Sequence, residues 1–179
     1  MNTANSNPLL PLQSVSLRID KFNQWLCHAV ATTTIVMVLL TFIIVALRKG
    51  ADMGWIALQE SVMYFHALVF MVGAAYTLQV DSHVRVDVFY RSFTTRQKAW
   101  VDILGTLFLL APTCVVILIY SLPYVSESWR LLEASKEAGG LPLVYLLKSL
   151  IPLAAVLLLI QGVSEILKNV CVLKEKESH

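Results

Sequence analysis

Charge is what this sequence has least of. Only 15% of its 179 residues are Asp, Glu, Lys or Arg while 57% are hydrophobic, against roughly a quarter charged in an ordinary soluble domain. That excludes a water-soluble globule, because a core of this size could not hide so much apolar surface; lipid must be the solvent for much of it. A net charge of +2 leaves no basic footprint for nucleic acid. Cysteine is scarce as well. Cys27, Cys114 and Cys171 stand far apart, without the CxxC or Cys/His spacing of a zinc, iron–sulfur or dithiol centre, and read as small packing residues. No nucleophile stands beside a base, no glycine-rich loop could cradle phosphate, and no charged relay or pair of Gly/Pro-broken half-helices crosses the apolar runs. The chain reads as neither an enzyme nor a pump nor a complete carrier, and calls for no cofactor.

What is there is a set of long apolar runs. The first, Leu26 to Leu47, has 22 residues and no Asp, Glu, Lys or Arg; it is too long for a signal peptide and ends in "RKGADMGW" rather than a small-residue cleavage site. Others follow at about 57–79, 98–124 and 141–167. Each is near the roughly 20 residues that cross the hydrocarbon layer as a helix, and a lone strand would leave backbone groups unpaired in lipid. The expectation is an all-α integral membrane protein of four transmembrane helices, one membrane domain over 1–179, with tails at 1–25 and 168–179. The stretch 1–24, with Pro8 and Pro11, reads as polar and irregular; Pro112 and Pro152 predict kinks inside spans three and four.

Lys and Arg set the orientation. Arg18 and Lys21 in the first tail, Arg85, Arg91, Arg96 and Lys98 in the 80–98 connection, and Lys168, Lys174 and Lys176 at the C-terminus share one side; Arg48, Lys49, Arg130, Lys136 and Lys148 share the other. The positive-inside rule places both termini and the 80–98 connection in the cytoplasm.

The two larger connections are patterned. Read as a helix, 83–93 sets Val86, Phe89, Tyr90 and Phe93 on an apolar stripe and His83, Asp87 and Arg91 on a polar one, which predicts a short amphipathic helix at the cytoplasmic interface between spans 2 and 3. Thr94 and Gln97 are spaced as a capping box for the third span. A second interfacial helix is expected between spans 3 and 4, from Val125, Trp129 and Leu132 on one face, stopped by Gly139 and Gly140.

Few polar residues lie within the spans. Glu60, where the second span opens, is either simply interfacial or paired with a neighbouring helix or subunit. Gly73, Ala74 and Ala75 offer a small-residue surface for close helix approach. Gln161, Ser164 and Glu165 form a polar patch near the inner end of the fourth span, and Lys148 is expected to snorkel outward. His28 and His66 raise the idea of haem, but one sits at the inner edge and the other about 20 Å deep.

The stretch "QESVMYFHALVFMVGAAYTLQVDSHVRVDVFY" (59–90) closely resembles the signature of the small (Q-type) membrane subunit of tripartite ATP-independent periplasmic (TRAP) transporters. In that signature a Glu opens the second span, small residues and an aromatic close it, and H-[VI]-x-V-D follows; here these are Glu60, then Gly73, Ala74, Ala75 and Tyr76, then His83 to Asp87. "GGLPLVYLLKSLIPLAAVLLLIQGVSE" (139–165) is similar to the family's last span, and "SWRLLEASKEAGGLP" resembles the branch associated with 2-oxo acids and similar carboxylates. The resemblance covers nearly the whole chain. It implies an accessory scaffold subunit in the bacterial inner membrane, packed against a large multi-span transport subunit that imports a small organic acid, ion-coupled and commonly sodium-driven, delivered by a periplasmic binding protein. Substrate and ion sites are expected outside this chain. His83, Arg85 and Asp87 become candidates for a polar contact with that subunit, and Trp129, Arg130 and Glu133 for contact with the binding protein.

Two other classes remain to be weighed. A haem-binding membrane anchor of a redox enzyme needs two histidines at matching depth. A self-sufficient pore needs a polar lining, for which only Thr32, Thr33, Thr34 and Thr41 offer themselves.

Overall fold

The computed structural model describes residues 10–81, 90 and 92–175. The elements are α1 (Leu10–Ala31), α2 (Thr33–Gly50), α3 (Ile56–Gln79), α4 (Thr95–Gly105), a π-helical turn (Thr106–Leu110), α5 (Ala111–Arg130) and α6 (Val144–Glu175). There is no strand among the described residues. Four helical stretches are long and apolar enough to cross a membrane: Pro11–Gly50, Ile56–Gln79, Thr95–Arg130 and Val144–Lys174. The expected all-α, four-span architecture is what the chain adopts.

Helix α6 is the axis of the bundle, packing against α1, α3, α4 and α5, while α2 leans on α3. Its buried positions are mostly small or polar, Ala154, Ala155, Gln161, Ser164 and Cys171, with Leu157 the one large apolar side chain among them. Large apolar side chains such as Phe42, Phe70, Phe108 and Tyr120 point outward instead. This reverses the pattern of a soluble bundle and fits a protein solvated by lipid, where small residues let helices approach closely. At Gly162 a Cβ would come within 3.0 Å of Leu110 and 3.1 Å of Thr106, so α6 meets the π turn at a position only glycine fits comfortably. Exposed tryptophans mark both ends, Trp25 and Trp100 near the termini and Trp55 and Trp129 opposite, as expected of side chains in the two interfaces.

Both prolines predicted to kink a span lie in continuous helix. Pro112 cannot donate to the carbonyl of Phe108; just before it the Ala111 N–H bonds the carbonyl of Thr106, and the resulting π turn takes up the mismatch. The Thr94–Gln97 capping box is formed, with the Thr94 N–H donating to Gln97 Oε1 at 2.9 Å.

Two expectations need correction. The N-terminal segment is helical from Leu10 rather than irregular. Ser16, Asp20 and Asn23 fall on one face, and that face docks on α6, which supplies partners the segment alone does not advertise. At 40 residues the first stretch is about 60 Å long, twice the hydrocarbon thickness. The second interfacial helix is not a separate element either. Val125 and Ser128 are buried and carry α5 on to Arg130, Leu132 turns left-handed at φ 45°, and 131–143 is a loop closed by backbone bonds from Val144 N–H to Glu133 O (3.1 Å) and from Ser135 N–H to Leu141 O (3.0 Å). The interfacial helix expected over 83–93 falls almost entirely outside the described residues.

Candidate functional site

Polar side chains gather at the two ends of the bundle. At the end away from the termini, Glu60 in the first turns of α3 reaches the 131–143 loop: one carboxylate oxygen accepts the Leu141 N–H at 2.6 Å and the other the Ser135 hydroxyl. The loop can come this close because residue 140 is glycine, where a Cβ would lie 2.5 Å from Ser135 Oγ and 2.8 Å from Glu60 Oε1. Gly139, with φ +80°, supplies the left-handed turn beside it. Glu60 therefore spends its charge inside the chain, on a backbone amide that precedes the last span.

The same loop is tied a second time. Glu133 pairs with Lys148 of α6 and accepts the Ser128 hydroxyl at 2.7 Å. The Lys148 ammonium, with the Ser128 hydroxyl adding to it, holds the Glu133 carboxyl below its ordinary pKa. Lys148 also stands 4.0 Å from the centre of the Tyr124 ring, a cation–π contact, so it folds back into the bundle end rather than snorkelling free. Trp129 donates to Ser149 Oγ at 2.8 Å and meets Tyr145 edge-on at 4.7 Å. Among the described residues Arg130 bonds Glu127 alone, one turn back, at 2.6 and 2.9 Å, with both side chains well exposed. Of the three residues expected to meet a binding protein, Glu133 is committed to the loop, Trp129 lies partly on α6, and Arg130 presents its charge outward.

At the termini end, Gln161 of α6 is fully buried. It accepts from Asn23 at 2.7 Å and donates to Asp20 at 3.0 Å and Glu165 at 2.9 Å. Ser164 donates to Asp20 at 2.8 Å, and Lys168 bridges Asp20 (2.7 Å) and Glu165 (2.8 Å). The predicted patch of Gln161, Ser164 and Glu165 is real, but its partners Asp20 and Asn23 were missed. The available signal was the i, i+4, i+7 spacing of Ser16, Asp20 and Asn23 in a segment dismissed as a tail.

The small-residue surface of α3 is divided. Ala75 is buried with Val72 against Leu157 of α6, whereas a Cβ on Gly73 would touch nothing within 4 Å; Ala74 is half-buried. Tyr76 meets His28 edge-on at 5.9 Å. His83, Arg85 and Asp87 lie outside the described residues.

That His28–Tyr76 contact bears on haem. Tyr76 is ten residues, about 15 Å, along α3 from His66, so the two histidines sit at different depths. His28 Nδ1 is 2.7 Å from the Gln24 carbonyl. Among the described residues no three His, Cys, Asp or Glu come together as a metal-binding group. Three of the four threonines considered for a pore bond their own backbone: Thr32, Thr33 and Thr41 each donate to a carbonyl three or four residues back.

A chain whose polar groups mostly tie its own ends together, on spans whose outward faces are mostly apolar, is built to be embedded in a membrane. Residues 37–172 match the family of the DctQ component of tripartite ATP-independent periplasmic transporters. The chain belongs to that family. No curated protein and no solved structure matches it. A DctQ-family chain is a multi-pass membrane component of a tripartite transporter, as its signature around Glu60 and the 139–165 stretch led one to expect, and Glu60 stands in this structure as the residue that fastens the second span to the entry of the fourth.

Proposed function

We propose that this chain is the accessory scaffold subunit of a TRAP-type secondary transporter, held against a large transport subunit that carries the substrate and ion sites. The substrate is a small organic acid brought by a periplasmic binding protein. Both termini face the cytoplasm, and the 131–143 loop with Trp129 and Arg130 faces the binding protein. The observation that carries this reading is the disposition of polar groups. Gln161, Asp20, Lys168, Glu60 and Glu133 are satisfied within the chain at its two ends, and the four spans offer no charged path between them. Such a body widens and stiffens a neighbour in the bilayer; it does not conduct a carboxylate.

His83, Arg85 and Asp87 complete the reading as a polar contact from the 80–98 connection to the large subunit. The test is purification of the tagged chain from its native membrane in mild detergent, with partners identified by mass. A stoichiometric, strongly hydrophobic partner of many spans is expected, and its recovery should drop with Asp87→Ala and Arg85→Ala. A chain that emerges alone, or with a flavin- or haem-bearing enzyme, would overturn the assignment.

A further inference from the structure

Helix α3 carries one face that its own bundle leaves uncovered. Gln59, Met63, His66, Phe70, Gly73 and Thr77 are spaced alternately four and three residues apart, which keeps all six on a single narrow stripe. Met63 and Phe70 are 52% and 68% exposed, and Gln59 and His66 are exposed as well. Val72 and Ala75 on the opposite face are buried against α6. At Gly73 there is open space where a side chain would be, and Thr77 folds its hydroxyl back onto the Gly73 carbonyl at 3.0 Å, leaving its methyl group and the glycine backbone as a shallow saddle.

His66 makes this face unlike the others. It stands ten residues from Ile56 and thirteen from Gln79, about 15 and 20 Å from the helix ends, in the middle of the hydrocarbon. Its imidazole carries at least one N–H donor, makes no hydrogen bond among the described residues, and would find none in acyl chains, where a polar group without a partner is costly. The other exposed faces suit lipid. On α2 they include Ile35, Val38, Leu39, Phe42 and Val45; on α5 the outward Val115, Val116 and Ile119 are hydrocarbon, and Tyr120 beside them adds a phenol, which is mostly apolar ring. The α3 stripe is not a lipid face.

We propose that this stripe is the seat for one transmembrane helix of the large subunit. His66 hydrogen-bonds a polar side chain of that helix, and Gly73 is the point of closest approach. The stripe runs 18 residue steps from Gln59 to Thr77, about 27 Å, which matches the hydrocarbon thickness. The occupant is therefore a membrane-spanning helix and not a peripheral protein. This inference rests on the accessory-subunit reading above and adds where the contact lies.

The test uses the intact complex in native membranes. Photoreactive benzoylphenylalanine is placed at Met63 or Phe70 on the stripe, and at Phe42 on α2 or Tyr120 on α5 as comparison faces. Adducts with the large subunit are expected from the first pair and not from the second. His66→Leu should lower co-purified large subunit about fivefold, the scale of one interhelical hydrogen bond in a membrane; His66→Gln should recover part of it, and Gly73→Leu should lose about tenfold or more. The proposal is overturned if adducts arise from Phe42 or Tyr120 instead, if they join only a second copy of this chain, or if His66→Leu and Gly73→Leu retain the large subunit in full. In the first and third cases the accessory-subunit reading survives, since the wild-type chain still brings its partner down. If the wild-type chain brings down no large subunit, both fail together.

Discussion

Glu60 accepts a hydrogen bond from the backbone amide of Leu141, 81 residues later in the chain. Leu141 precedes Pro142, and with Ser135 on the other carboxylate oxygen the contact fixes where the last span begins. A single carboxylate thus sets the geometry of the loop that closes this end of the bundle.

Removing it should open that loop first. Glu60→Ala leaves the Leu141 amide and the Ser135 hydroxyl without their acceptor, and residues 131–143 should exchange amide hydrogens and be cut by protease markedly faster, with the spans unchanged. Glu60→Gln keeps one carbonyl for Leu141 and an NH₂ that can donate to Ser135, so it should fall between the two. Equal exchange in all three proteins would show that the backbone bonds from Val144 and Ser135 hold the loop unaided.

Gly140 and Gly54 make a paired test of close approach. Gly140→Ala forces a methyl group to within 2.5 Å of Ser135 Oγ and 2.8 Å of Glu60 and should destabilise by about 1–3 kcal/mol. Gly54→Ala meets nothing within 4 Å and should be neutral or stabilise by about 0.5 kcal/mol through the unfolded chain. Thermal melting of both proteins in detergent separates them.

The spans were legible because each is a long apolar run, and lipid permits little else than a helix for such a run. The ends were not. That Lys148 turns back toward Glu133 depends on a loop whose path is set by Glu60 and Gly140, and no local pattern encodes that path. The helical start at Leu10 was hidden because Ser16, Asp20 and Asn23 read as a polar tail until α6 lies beside them. At Glu60 the sequence left an interfacial carboxylate and a paired one equally open; its partner is a backbone amide, which no side-chain pattern reveals. His66 drew notice only as one of two histidines at unmatched depths, and its exposure, visible once the bundle is built, is what singles it out.

The buried amide pair at the termini end should couple. Gln161→Leu strands Asn23 Nδ2 and removes one donor from Asp20, at a cost of about 2 kcal/mol. Asn23→Leu alone strands Gln161 in the same way. The double substitution removes both halves of the pair and should cost clearly less than the sum of the two. Additive losses in melting experiments would mean that Asn23 and Gln161 do not bond in the membrane-embedded protein.

The pairing of Glu133 with Lys148 predicts where acid should act. Its folded-state pKa is depressed, chiefly by the Lys148 hydrogen bond and then by Ser128, so its contribution is fully present above the ordinary glutamate value of about 4.3 and is lost as pH falls through the lower folded value. Between pH 5 and pH 8 the loop should therefore show constant protection in hydrogen exchange corrected for intrinsic rates, with loosening confined to more acid conditions. Glu133→Gln should be loosened at every pH and show no acid transition of its own, because the amide cannot be neutralised. If the wild-type loop loses protection between pH 6 and pH 7, a different group governs it and the Glu133–Lys148 pair is not what holds this end closed.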